Sequence, residues 1–216
     1  MINKVISKLS GMLQRAFKGN RSPIIIAGLG RCGTTLVHNS FRFNHHYLPY
    51  KDIFMFSDGI DFKPNVIYKT HDYPPASLPD NVKVVFMFGN PMDTAISSHR
   101  RINEWGVLHH KHLGSDVFKT NDDIFNKDTL KLNTLFDVWD QDQNFDFLAV
   151  RYESLYAKET VKAISDYLGF KFQLLPEKKR KTNWEKHNMR EVLKKVYGEL
   201  NKKILSKNNF LLRTKK

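Results

Sequence analysis

The chain holds one cysteine, Cys32, in 216 residues. A lone thiol excludes an intramolecular disulfide framework, and the expectation is a reduced, cytoplasmic setting. Long apolar runs are missing too, so no segment reads as a bilayer-spanning helix. Met1 to Asn20 has no continuous apolar block of the kind a secretory leader needs. Internal repeats and low-complexity tracts are absent. Asp, His and Cys do not cluster at metal-ligand spacing, so no metal is expected.

What is present is a basic, ordinarily hydrophobic chain. Hydrophobic residues make up 41%, enough for one sizeable core and against wholesale disorder. The net charge of +13 implies an anionic partner: nucleic acid, a membrane surface or a small polyanion. Residues 1–22 form a basic segment in which Val5, Ile6, Leu9, Met12, Leu13 and Phe17 are spread among lysines and arginines. That spacing predicts an amphipathic helix, docked on the domain or making peripheral contact with an anionic membrane. Residues 23–216 read as one domain with a basic C-terminal helix.

Strand and helix signals alternate along that domain. Ile24 to Ala27, Val66 to Lys69, Val82 to Phe88 and Phe145 to Val150 read as strands. Helices are expected over Thr34 to Phe43, Pro91 to about Arg101, Asp122 to Asp140, Lys158 to Leu168 and Glu185 to Leu205. The pattern predicts a three-layer α/β domain around a central parallel sheet, with ligands beyond the carboxyl ends of the strands.

The first strand runs into Gly28-Leu29-Gly30-Arg31-Cys32-Gly33-Thr34-Thr35. Glycines let the backbone turn tightly, and free N–H groups at the start of a helix attract an anion. Thr34 and Thr35 add hydroxyls, and Arg31 adds a charged fork. A nucleotide triphosphatase loop would need lysine where Thr34 stands. A dinucleotide loop would need an acidic residue ending the next strand, and Asp52 and Asp58 are poor candidates for it.

Basic-x-Gly-Thr-Thr after a strand resembles the 5′-phosphosulfate loop of the sulfotransferases that use 3′-phosphoadenylyl sulfate (PAPS). Three further segments match in order. Tyr68-Lys69-Thr70-His71, with prolines behind it, resembles the family's K-T-H-L-P element, whose lysine and histidine are catalytic. Asn90, Pro91, Asp93 and Ser97 match the R-N-P-x-D-x-x-x-S element that binds the 3′-phosphate, with Gly89 in the arginine's place. Leu148 to Leu155 resembles the R-Y-E-D-L segment, so Tyr152 would lie near adenine. Arg180-Lys181, with Trp184 and His187, looks like a contracted form of the family's R-K-G tract on the 3′-phosphate.

The resemblance implies a P-loop-like phosphosulfate-binding strand-loop-helix and sulfuryl transfer from PAPS to a hydroxyl. His71 would be the general base, with Lys69 and Arg31 stabilising charge. Donor binding would fall to Arg31, Cys32, Gly33, Thr34, Thr35, Ser97, Tyr152, Arg180 and Lys181. The implied acceptor is a small molecule, glycan or lipid bearing a hydroxyl, with no nucleic-acid partner. The stretch from Trp105 to Asp123 is the candidate for shaping its pocket. Two other readings stand beside this one: a P-loop kinase with an atypical loop, and a basic nucleic-acid or membrane-binding module.

Overall fold

The computed structural model describes residues 21–49, 56, 60–105, 123–177 and 181–215. The expected N-terminal helix, Arg180 and most of the expected acceptor stretch lie outside them. The core is a six-stranded sheet in the order β2-β3-β1-β4-β5-β6. Its strands are β1 (Ile24–Gly28), β2 (Leu48–Pro49), β3 (Val66–Lys69), β4 (Lys83–Phe88), β5 (Phe147–Arg151) and β6 (Phe210–Arg213). The first five are parallel, and β6 runs antiparallel beside β5.

Six helices are found among the described residues: α1 (Thr34–Asn44), α2 (Pro91–Trp105), α3 (Asp123–Asn126), α4 (Leu132–Trp139), α5 (Lys158–Leu168) and α6 (Arg190–Leu205). They cover both faces of the sheet. Ile24 and Ile26 of β1 pack with Val37 and Phe41 of α1 and Ile164 of α5. Ile25 and Ala27 pack on the other face with Met92 and Ala95 of α2, Trp139 of α4 and Leu193 of α6. This is why β1 and β4 read as unbroken apolar runs: neither side of them meets water. No helix among the described residues is long and apolar enough to cross a membrane.

Three expectations need correction. The helix expected over Asp122 to Asp140 is two helices. Lys131 takes a left-handed backbone (φ 54°), and the Asp128 carboxylate caps α4 by accepting from the Leu132 and Asn133 amides. The C-terminal helix starts at Arg190, after a single 3-10 turn at Trp184–Lys186. Both edge strands, β2 and β6, went unread.

The topology creates a crevice. β1 leads into α1 on one face, whereas β4, its neighbour, leads into α2 on the other. Connections diverging from adjacent parallel strands open a gap beyond their carboxyl ends, where ligands of such sheets bind.

Candidate functional site at the carboxyl ends of the strands

The loop after β1 is locked from below. A Cβ on Gly28 would lie 2.3 Å from the Met87 carbonyl oxygen, so only glycine fits where β1 and β4 touch. The Leu29 amide donates to that same oxygen over 2.9 Å. Arg31 and Gly33 then take left-handed conformations, φ 62° and 84°, and the chain enters α1. The first helical bond is Val37 N–H to Gly33 O at 3.0 Å. The amides before Val37 have no acceptor within the helix, and the first turn carries no acidic side chain. The positive end of α1 therefore faces the crevice uncompensated.

Within the loop the residues diverge. Thr34 is buried and Thr35 exposed. Cys32 is fully buried, its Sγ 3.3 Å from Thr94 Oγ1 of α2. Its amide turns back to the Leu29 carbonyl at 3.3 Å. The thiol is thus core packing between loop and helix, and gives an incoming ligand no surface.

His71 joins this loop from β3. Thr70 continues the β3–β1 ladder, its amide donating to Ile26 O over 3.0 Å. The His71 ring then meets the Gly28 carbonyl, Nδ1 to O 2.7 Å, with only 8% of the residue exposed. A carbonyl only accepts, so Nδ1 carries a proton; whenever the ring is neutral, Nε2 holds the lone pair. The next residue pins the segment. The Asp72 carboxylate accepts the Phe56 amide at 2.9 Å, and its carbonyl accepts the Trp139 indole N–H at 3.0 Å. Sequence reasoning passed over both Asp72 and Trp139. Lys69, at the end of β3, is half-buried.

Beyond β4, Asn90 Oδ1 accepts the Met92 and Asp93 amides at 2.9 and 3.1 Å and caps α2, with Pro91 in the first turn. The Asn-Pro pair is therefore also a helix-start device. Gly89 has a specific reason: a Cβ there would lie 3.0 and 3.1 Å from the Glu153 carboxylate oxygens and 3.1 Å from Tyr152 Cβ. Glu153 holds this position by accepting the Asn90 amide at 3.0 Å. Nearly two turns into α2, buried Ser97 accepts from Arg31 Nε over 3.0 Å.

No protein-family model matches this chain, and no curated protein matches it either. The functional reading accordingly stands on the geometry.

Two more segments reach the crevice. Tyr152 follows β5 in a 3-10 turn, and its ring lies on Gly33: a Cβ at 33 would sit 2.5 Å from ring carbon Cδ2. The C-terminal tract arrives through the Trp184 amide, which donates to Asp93 Oδ1 over 2.9 Å. Lys181, three residues earlier, is exposed, as is Arg100, and Arg101 is half-buried. Of the expected site residues, Arg31, Gly33, Ser97, Tyr152 and His71 are linked by direct contact or through Gly28. The Cys32 thiol is not.

Proposed function

We propose that this protein is a sulfotransferase that moves a sulfuryl group from PAPS to an acceptor hydroxyl, with the Gly28–Thr35 segment acting as a P-loop-like phosphosulfate loop. The observation that carries the reading is the 2.7 Å bond from His71 Nδ1 to the Gly28 carbonyl. It fixes an imidazole in the base-competent tautomer against the loop suited to hold the anionic donor. A general base must sit within reach of the proton that it takes, and this bond supplies both orientation and place.

The residues present fit such a donor. The α1 amides and Thr34 and Thr35 suit the phosphosulfate, and a glycine at 33 leaves room for the Tyr152 ring beside it. Ser97 suits the 3′-phosphate. Bound PAPS supplies an activated sulfuryl group on a phosphate leaving group. The acceptor oxygen attacks sulfur, the bond from sulfur to the phosphate oxygen breaks, and the acceptor proton passes to His71 Nε2. The products are a sulfate monoester and adenosine 3′,5′-bisphosphate. Lys69 and Arg31 stabilise the negative charge on the sulfuryl and leaving oxygens. Positioning and charge stabilisation supply the rate, as in phosphoryl transfer.

The deciding test is a thermal-shift comparison of adenosine 3′,5′-bisphosphate, ATP and NAD on the full chain. Stabilisation by the bisphosphate above the other two supports the reading, because a ligand that binds the native state raises its stability. Equal shifts, or a magnesium-dependent preference for ATP, overturn it.

A further inference from the structure

At the opposite end of the sheet, the amino ends of β1 and β4 border a second cavity of about 310 Å³. Its lining includes Arg21, Tyr47, Lys83, Leu168 and Phe170, with Ile24 at the start of β1. Four residue steps of strand separate Ile24 from Gly28, so roughly 13 Å of backbone divides this cavity from the crevice.

The cavity is built for one sign of charge. Arg21 and Lys83 contribute two cations, and no carboxylate among the described residues lines it. The Arg21 guanidinium lies 5.8 Å from the Tyr47 ring centre and 5.6 Å from that of Phe170, and Nη1 donates to the His45 carbonyl at 3.1 Å. Lys83 Nζ lies 5.0 Å from the Tyr167 ring centre. Neither cation is in an ion pair among the described residues, although exposed lysines elsewhere on the molecule pair with Asp80, Asp137 and Asp166. Behind them Tyr47 is 3% exposed, and its hydroxyl is buried. The Tyr47 and Phe170 rings are nearly parallel at 6.5 Å, and Leu168 extends this apolar wall.

We propose that this cavity is a second ligand site, separate from the crevice, for a small organic anion with an aromatic body. Arg21 and Lys83 hold its carboxylate, sulfonate or phosphate group. The apolar body packs on Phe170 and Leu168. The size lies at the lower end of small-molecule pockets, which admits a two-ring aryl anion and excludes a dinucleotide.

The test is calorimetric titration of the full chain with naphthalene-2-sulfonate, with neutral 2-naphthol and cationic 2-naphthylmethylamine as controls. The sulfonate is expected to bind at least tenfold more tightly than either control. The affinity should fall about tenfold in Arg21→Met and in Lys83→Met, the scale of a lost charge-assisted hydrogen bond. Saturating adenosine 3′,5′-bisphosphate should leave it unchanged. Equal binding of the three naphthalenes, displacement by the bisphosphate, or sulfonate affinity that survives Lys83→Met overturns the site. The outcome is independent of whether the crevice transfers sulfuryl groups.

Discussion

Arg31 Nε donates to Ser97 Oγ over 3.0 Å, joining the loop after β1 to the helix after β4. In the proposed donor site this bond ties the phosphosulfate-side cation to the serine read for the 3′-phosphate. Arg31→Ala should therefore weaken binding of adenosine 3′,5′-bisphosphate by about 1.5–3 kcal/mol, roughly ten- to a hundredfold. Ser97→Ala should cost less, and Arg31→Lys should restore only part, because lysine lacks the planar fork. Calorimetry decides: unchanged affinity in Arg31→Ala moves the phosphate site elsewhere.

A side chain at Gly89 would crowd the Glu153 carboxylate and Tyr152 Cβ, at 3.0 to 3.1 Å from its Cβ. Gly89→Arg alone should lower the melting temperature. The double change Gly89→Arg with Glu153→Ala should recover part of the loss, since the carboxylate is the movable obstacle. Thermal melts of the two variants test this, and equal destabilisation in both would place the conflict at Tyr152.

His71→Ala should abolish most turnover, by about 10²–10⁴-fold, while bisphosphate affinity stays near wild type. Retention of more than about a tenth of the activity would remove His71 as the base.

Cys32 sits in the core, so native protein should resist iodoacetamide and react only as it unfolds. Cys32→Ser should remain folded and active, with the new hydroxyl facing Thr94. Rapid alkylation of the native chain would contradict the buried position.

Alkaline pH should destabilise the fold. Burial raises the phenols of Tyr47, to about 12, and of Tyr167 and Tyr197 further. The unfolded chain ionises these groups near pH 10. Above that pH it binds fewer protons than the native state, so stability falls as pH rises. Each phenol contributes a slope of about 1.4 kcal/mol per pH unit between pH 10 and 12. Urea melts at pH 9 and pH 11 check the sign, and equal midpoints would refute it.

The buried strands were legible because both their faces are apolar, which leaves a continuous run such as Ile24–Ala27. The loop was legible through its glycines, whose tight contacts with Met87 and Tyr152 show why no other residue serves at 28 and 33. The edge strands were not. Phe210–Arg213 is short and half-exposed, and only its pairing with β5 makes it a strand. The break before α4 had a signal in Asp128, a capping residue five positions before Asn133 that was overlooked. The reach of Arg31 to Ser97 could not be read, because the two lie 66 residues apart and meet only when β1 pairs with β4. The same pairing hid the burial of Cys32, which the chemistry of its loop alone would have put at the surface.

The seating of β6 has a consequence for the turn above the loop. The Arg151 amide, next to Tyr152, donates to the Asn209 carbonyl over 2.8 Å, and Ser154 Oγ reaches the same carbonyl at 3.3 Å. The ring that covers Gly33 is therefore anchored from the entry to β6, a segment distant in sequence. A chain cut before Asn209 keeps the Gly28–Thr35 segment but loses the contacts that fix the turn above it, and should bind adenosine 3′,5′-bisphosphate poorly.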